Sequence, residues 1–180
     1  MTEHPFTYRL ELPTDSVEIE TLHAEAFGPG RFARAAFRLR EGIPHLPELS
    51  FVALVDDTLV ASVRLTPILI GERSALLLGP LAVKPDYKGR GAGKRLVRKS
   101  ADAARGGGHS ILLLVGDLPY YGPLGFEQLA PYAITLPAAV DPERVLVSGL
   151  APGVLEGLGG MARPIRSVPS GAVSDLRDTR

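Results

Sequence analysis

The stretch from Ala75 to Gly116 constrains this chain more than any other. An almost wholly apolar run, Ala75 to Val83, leads through Lys84-Pro85-Asp86-Tyr87 into the turn Lys88-Gly89-Arg90-Gly91-Ala92-Gly93. A helical pattern then continues to about Arg105. Leu96, Val97, Ser100, Ala101 and Ala104 fall on its inner face; Lys94, Arg95, Arg98, Lys99, Asp102 and Arg105 fall on the other. Gly106-Gly107-Gly108 stops the helix, and Ile111 to Val115 is a second apolar strand. Strand, helix and strand in that order predict an α/β fold in which the two strands run parallel, joined by a right-handed crossover. An apolar strand is a central one. Pro80 within it removes a ladder hydrogen bond, so it predicts a bulge or a place where pairing stops.

The glycine turn carries chemistry as well as geometry. Without Cβ atoms, Gly89, Gly91 and Gly93 let the backbone approach an anion closely. The first N–H groups of the following helix have no partner within the helix, and together with its dipole they form an anion site. A diphosphate fits such a site. The turn lacks the Gly-Lys-Ser/Thr ending of a P-loop, and its third glycine comes too soon for the dinucleotide pattern. A plain turn and helix cap would use the same residues.

The flanks read more simply. Tyr8 to Leu12 is a short strand stopped by Pro13. Asp15 and Glu18 are spaced as a capping box. Val17, Ile19, Leu22, Ala26 and Phe27 follow at near-helical spacing until Gly28-Pro29-Gly30. A second helix is predicted from Arg31 to Glu41, with Phe32, Ala35, Ala36 and Leu39 inward. Its Arg34 and Arg38 suit an ordinary solvated face, or contact with an acidic ligand. A proline-containing loop, 42–49, leads to the strand Phe51–Val55. The tight turn Asp56-Asp57 and the alternation Leu59, Ala61, Val63, Leu65 make an antiparallel hairpin with it. After Gly116 the run Leu118 to Phe126 is too rich in proline and glycine for a long helix, but a single turn fits at Tyr120-Tyr121. Ala133–Leu136 and Val145–Leu150 are closing strands, and Met161–Val168 adds an edge strand. Strands near 145–168 could pair across a homodimer. Residues 1–169 are expected to form one domain, and 170–180 a frayed polar tail.

Composition excludes several classes. The 180 residues, 45% hydrophobic, suit one core. Twenty basic and twenty acidic residues balance to zero net charge, which argues against a nucleic-acid binder. There is no cysteine, hence no thiolate ligand or nucleophile. His4, His23, His45 and His109 are scattered without metal-ligand spacing, so no metal is expected. No apolar run approaches a bilayer span, and the polar start Met1-Thr2-Glu3-His4-Pro5 does not read as a signal peptide. No membrane partner is expected, and the cytoplasm is the expected compartment.

The segment Leu78-Gly79-Pro80-Leu81-Ala82-Val83, with Pro85, Tyr87 and the glycine turn, resembles the central motif of the GNAT N-acetyltransferases. Their pattern of Gln or Arg, two residues, Gly, one residue, Gly or Ala falls on Lys88, Gly91 and Gly93; Lys88 departs in type but keeps the charge. A second family element, a tyrosine four residues before Gly-Phe, falls on Tyr121 and Gly125-Phe126. The similarity spans roughly residues 6 to 136. It looks like a branch of small bacterial proteins whose substrates are mostly unassigned.

The resemblance implies the GNAT fold: a mixed central sheet with antiparallel N-terminal hairpin strands, a splayed parallel strand pair joined by the crossover helix, and helices on both faces. It implies acetyl-CoA as co-substrate and a small-molecule or protein amine as acceptor. Pyrophosphate would sit on Lys88, Gly89, Arg90, Gly91, Ala92, Gly93 and Lys94. Backbone groups of Leu81, Ala82 and Val83 would hold the pantetheine arm and polarise the thioester. Tyr121 would protonate the departing thiolate, with Tyr120 as the neighbour to suspect next. Glu41, His45, Glu48 and Glu72 are candidates for the base. Lys94, Arg95, Arg98 and Lys99 could meet the CoA 3′-phosphate, or form an ordinary charged face. Another short acyl-CoA as donor, or a non-catalytic acyl-CoA-binding module, would use the same frame.

Overall fold

Apolar residues alternating at period two build the sheet, and they place a different cluster on each of its faces. The structure is a computed structural model describing residues 5–165. The tail from Ser170, and the expected edge strand beyond Ile165, lie outside the described residues. β1 (Thr7–Leu10) leads to α1 (Ser16–Phe27) and α2 (Ala35–Arg40). Then β2 (Phe51–Val55), β3 (Thr58–Ile70) and β4 (Arg73–Val83) form an antiparallel ladder alongside β1. Asp56 and Asp57 both adopt positive φ, 46° and 62°, in the two-residue turn between β2 and β3. This is the primed turn whose twist matches a hairpin.

From β4 the chain enters α3 (Ala92–Gly106) and returns as β5 (Ile111–Val115), parallel to β4 as the sequence predicts. One turn of helix, α4 (Leu118–Tyr121), is followed by the short strands β6 (Glu127–Gln128) and β7 (Ile134–Thr135). β8 (Val145–Gly149) and β9 (Gly160–Pro164) close the fold. β8 lies between β5 and β6, and β9 between β3 and β7. Both are paired on each side within the chain.

Ala53, Val55, Ala61, Val63, Leu65, Leu76, Leu78, Leu112 and Leu114 pack under Leu96 and Val97 of α3. On the other face, Val52, Leu54, Leu59 and Ala82 meet Ile19 and Leu22 of α1, while Leu39 of α2 joins Ile68, Ile70, Leu77 and Leu113. Helices therefore cover both faces.

Three local expectations are corrected. Asp15 does not cap α1. Its carboxylate accepts the Leu12 N–H at 2.8 Å and the Arg9 guanidinium at 2.6 and 2.8 Å, so the fork outcompetes the helix start. Val17 is 78% exposed and Ala26 is also outward, because α1 buries Ile19, Leu22 and His23 instead. The expected helix 31–41 is split. Pro29–Ala33 forms a 3-10 turn, Arg34 is extended at φ −71° and ψ 143°, and only Ala35–Arg40 is α-helical.

Candidate active site

The site begins where β4 loses its neighbours. Lys84 N–H donates to Val60 O at 2.8 Å, and the register sets Ser62 opposite Ala82 and Val63 opposite Leu81. Antiparallel alternation makes Ser62–Ala82 a bonded pair, and turns the N–H and C=O groups of Leu81 and Val83 away from β3. Ala82 therefore spends its backbone on β3 and its side chain on the α1 cluster, and offers the free side nothing. The next bonded pair would join Arg64 to residue 80, where proline has no N–H. The ladder breaks there and resumes one residue out of step, with Leu65 opposite Leu78. This is the interruption that Pro80 predicts.

On the other edge, β4 and β5 are in register only at Leu76–Leu112 and Leu77–Leu113. Beyond them the parallel strands part. The free backbone of Leu81 and Val83 faces the gap, which leads to the start of α3.

Gly89 and Gly91 have φ of +76° and +89°, conformations that L side chains rarely adopt, so glycine is required at both. Gly93 leaves room for Tyr120: a Cβ there would lie 2.6 Å from the Tyr120 hydroxyl and 3.4 Å from Val83 Cγ2, so that side chain would have to move. Lys88, Gly89, Arg90 and Gly91 are exposed, whereas Ala92 and Gly93 are buried against the gap. The N–H groups at the start of α3 have no acceptor within the helix. Lys94 lies with its ammonium 5.5 Å from the Tyr120 ring centroid. Lys99 instead turns to Tyr8 and Phe51, 5.9 Å from each ring, away from the turn.

α4 forms the opposite wall. The Tyr121 ring stacks edge-on against Tyr120 and Phe126 at 4.8 and 5.8 Å and lies over Gly116, where a Cβ would come within 2.4 Å of it. Burial, followed by the neighbouring Tyr120 and Asp117, pushes the Tyr121 phenol up to about 12, against a smaller opposing effect of Arg144. Its hydroxyl stays protonated at any physiological pH and forms no hydrogen bond with a described residue.

A cleft of about 630 Å³ opens on the α1–α2 face and reaches Pro80 of the β4 break. Of the four base candidates, Glu41 and His45 line this cleft. Glu48 does not, and Glu72 is 93% exposed at the far β3–β4 turn, paired with Arg163 at 3.1 Å. The loop is held by Leu46 N–H donating to Leu65 O at 2.8 Å, beside the break. His45 Nε2 lies 3.2 Å from Glu11 Oε1. Burial alone would raise the Glu11 carboxyl, but hydrogen bonds from His45 and Arg64 outweigh it and hold Glu11 below the usual carboxylate range. Arg64 grips Glu11 through Nε and Nη2 at 2.9 and 2.7 Å, and reaches Glu20 through Nη1 at 2.9 Å.

Sequence reasoning missed Glu11, Glu20, His23, Arg40 and Arg64. Arg40 follows Leu39 and stands one turn after Ala36, at the border of the predicted buried stripe. That position was the available signal.

Residues 16–126 match the sequence model of the Acetyltransferase (GNAT) family. The chain belongs to this family. It is thus an N-acetyltransferase by descent, with the mixed sheet and splayed strand pair of the fold in place. It is 33% identical over 134 residues to the uncharacterized N-acetyltransferase YjhQ of Escherichia coli K12, covering 72% of this chain and 74% of that protein. The crystal structure of the Escherichia coli GNAT protein YhbS in complex with CoA superposes with a TM-score of 0.77 at 25% identity, over 91% of this chain and 92% of that one. A GNAT acetyltransferase from Brucella melitensis in complex with acetyl-CoA gives 0.57 at 31% identity, over 69% and 84%. Among the described residues no helix is long and apolar enough to cross a membrane, and no three His, Cys, Asp or Glu side chains gather as a metal site.

Proposed function

We propose that this protein moves the acetyl group of acetyl-CoA to a primary amine by direct attack, acting in the cytoplasm. The observation that carries the reading is the unpaired β4 backbone at Leu81 and Val83, continuous with a glycine-lined helix start. A strand edge suits an amide-bearing arm, and a helix N-terminus suits a diphosphate. Acetyl-CoA contains both, and two similar proteins hold CoA or acetyl-CoA in their crystal structures. The residues present fit it: Gly89 and Gly91 supply the positive φ, Gly93 the clearance, and Lys88, Arg90 and Lys94 the charge.

Acetyl-CoA supplies an activated acyl carbon; the chain's own groups do the rest. A backbone N–H on the free side of β4 stabilises charge developing on the thioester oxygen. An alkyl amine has a solution pKa of about 10.4 and must lose a proton before it attacks. His45 is the acceptor we assign. Its Nε2 is turned to the buried Glu11 carboxylate, which leaves Nδ1 for the amine or an intervening water. Tyr121 acts on the leaving thiolate. Its pKa of about 12 makes complete transfer to a thiolate uphill, so its contribution is a hydrogen bond that strengthens as charge builds on sulfur.

The test is thiol release from acetyl-CoA over pooled amines, with propionyl- and succinyl-CoA alongside. Amine-dependent release that is fastest with the acetyl donor supports the reading. Tight acetyl-CoA binding without release from any pool would instead leave a binding module.

A further inference from the structure

Arg40 sits in the α1–α2 cleft as a guanidinium without a counter-ion. Three arginines line that cleft, and two are accounted for. Arg64 is held by Glu11 and Glu20, and Arg38 pairs with Glu41 at 3.6 Å. The Arg40 guanidinium makes no hydrogen bond or ion pair with any described residue, while its backbone carbonyl accepts the Ile43 N–H at 3.0 Å. Its side chain lies along Phe37, with Cζ 4.3 Å from the ring centroid, so the planar fork is fixed while its N–H groups stay unused. It is half-buried. Burial lowers its pKa to about 9, and the adjacent Arg64 adds to this against a smaller pull from Glu20. An uncompensated charge in such a place is costly to the fold.

Its location gives the charge a purpose. Arg40 Nη1 is 3.5 Å from where a Cβ on Gly79 would stand, beside the break in β4. The free backbone begins two residues later at Leu81. An anion bound to Arg40 is therefore held next to the place where the acyl group is exposed.

We infer that the acceptor is a small amine bearing its own carboxylate, an amino acid or a close relative, and that Arg40 binds this carboxylate and so positions the nearby amine. The inference rests on the acetyl-transfer reading above and names its substrate class. A monoamine, a polyamine or a lysine within a protein chain would leave the guanidinium unpaired. A carboxylate gives it the bidentate partner that its geometry suits.

The test compares amino acids with their primary amides and decarboxylated amines, in the same thiol-release assay on the full chain. Amino acids should be preferred over their amides by about ten- to a hundredfold in kcat/KM, the range for charge-assisted hydrogen bonds. Arg40→Gln should collapse that ratio toward one, mainly by raising KM for the acids, and Arg40→Lys should restore part of it. Equal kcat/KM for acids and amides in the unmutated protein overturns the inference, as does a ratio unchanged by Arg40→Gln. Should the variants not fold, the ratio in the unmutated protein decides alone. If no amine is turned over, the acetyl-transfer reading fails separately. Calorimetric titration of the same amino acids and amides onto the CoA-loaded protein then decides: acid-selective binding supports the Arg40 site, and its absence at millimolar concentration ends the idea.

Discussion

The Tyr120 hydroxyl occupies the space that a side chain on Gly93 would need, 2.6 Å from the Cβ position. The glycine turn and α4 are thereby fitted to each other across the gap between β4 and β5. Gly93→Ala must displace Tyr120 or tilt the start of α3. Binding of acetyl-CoA should weaken by about tenfold or more, measured as KM and by calorimetry, and both follow from a misplaced helix N-terminus. Because the obstruction is one oxygen atom, Tyr120→Phe should recover part of the loss in the double variant. Additive effects of the two substitutions would refute the contact.

Tyr121→Phe isolates the hydroxyl proposed to act on the leaving group. The ring, which fills the space over Gly116 and between Tyr120 and Phe126, is retained, so acetyl-CoA affinity should change little. kcat should fall by about tenfold or more. Since the phenol titrates near 12, kcat of the unmutated protein should show no alkaline loss from this group up to about pH 10. A variant with unaltered kcat in single-turnover measurements would return Tyr121 to a packing role.

Much of the backbone geometry on the proposed cofactor side was legible because it is local. Strand, glycine turn and helix are adjacent in sequence, and each residue type answers a backbone demand that composition alone can state: positive φ at Gly89 and Gly91, no N–H at Pro80. The same locality placed Tyr121 on its short helical turn. The cleft proposed for the acceptor was not legible, because it is assembled from β1, α1, α2, the 42–49 loop and β3. Glu11 meets Arg64 across 53 residues of chain. His23 stood only among the scattered histidines, yet it takes a core position that Val17 and Ala26 were expected to share. Periodicity ranks apolar residues and cannot foresee a histidine accepted inside. The split of the 31–41 helix escaped notice for a related reason: nothing in the apolar spacing marks Arg34 as extended.

His45→Gln addresses the proposed base. Glutamine can still donate to Glu11 but cannot accept a proton, so the loss should fall on kcat, by about a hundredfold. KM for acetyl-CoA should hold, since His45 stands on the α1–α2 face and not along the gap. If kcat is unchanged in the variant, the proton goes elsewhere, with Glu41 the next lining residue to replace.

His23 makes stability fall with acid before the carboxylates do. It is 2% exposed, with Nε2 3.4 Å from Ser62 Oγ. Burial first, then the charges of Arg64 and Arg40, lower its pKa to about 4, against the pull of Glu20 and Glu11. Above about pH 6.5 the ring is neutral both folded and unfolded, and contributes no pH dependence. Between about 6.5 and 4 the unfolded chain takes up a proton that the folded one refuses, so stability declines as pH falls. From pH 7 to pH 5 the loss from this one group should be on the order of 2 kcal/mol. Glu11 and Asp15, both held below their usual range in the fold, add their own losses at lower pH. Urea unfolding at pH 7, 6 and 5 measures the slope. His23→Gln keeps a group for Ser62 and cannot be protonated, so its slope over this interval should be markedly flatter. Parallel slopes for the two proteins would mean that the ring is charged in the fold, and that the cleft is more open to water than its geometry shows.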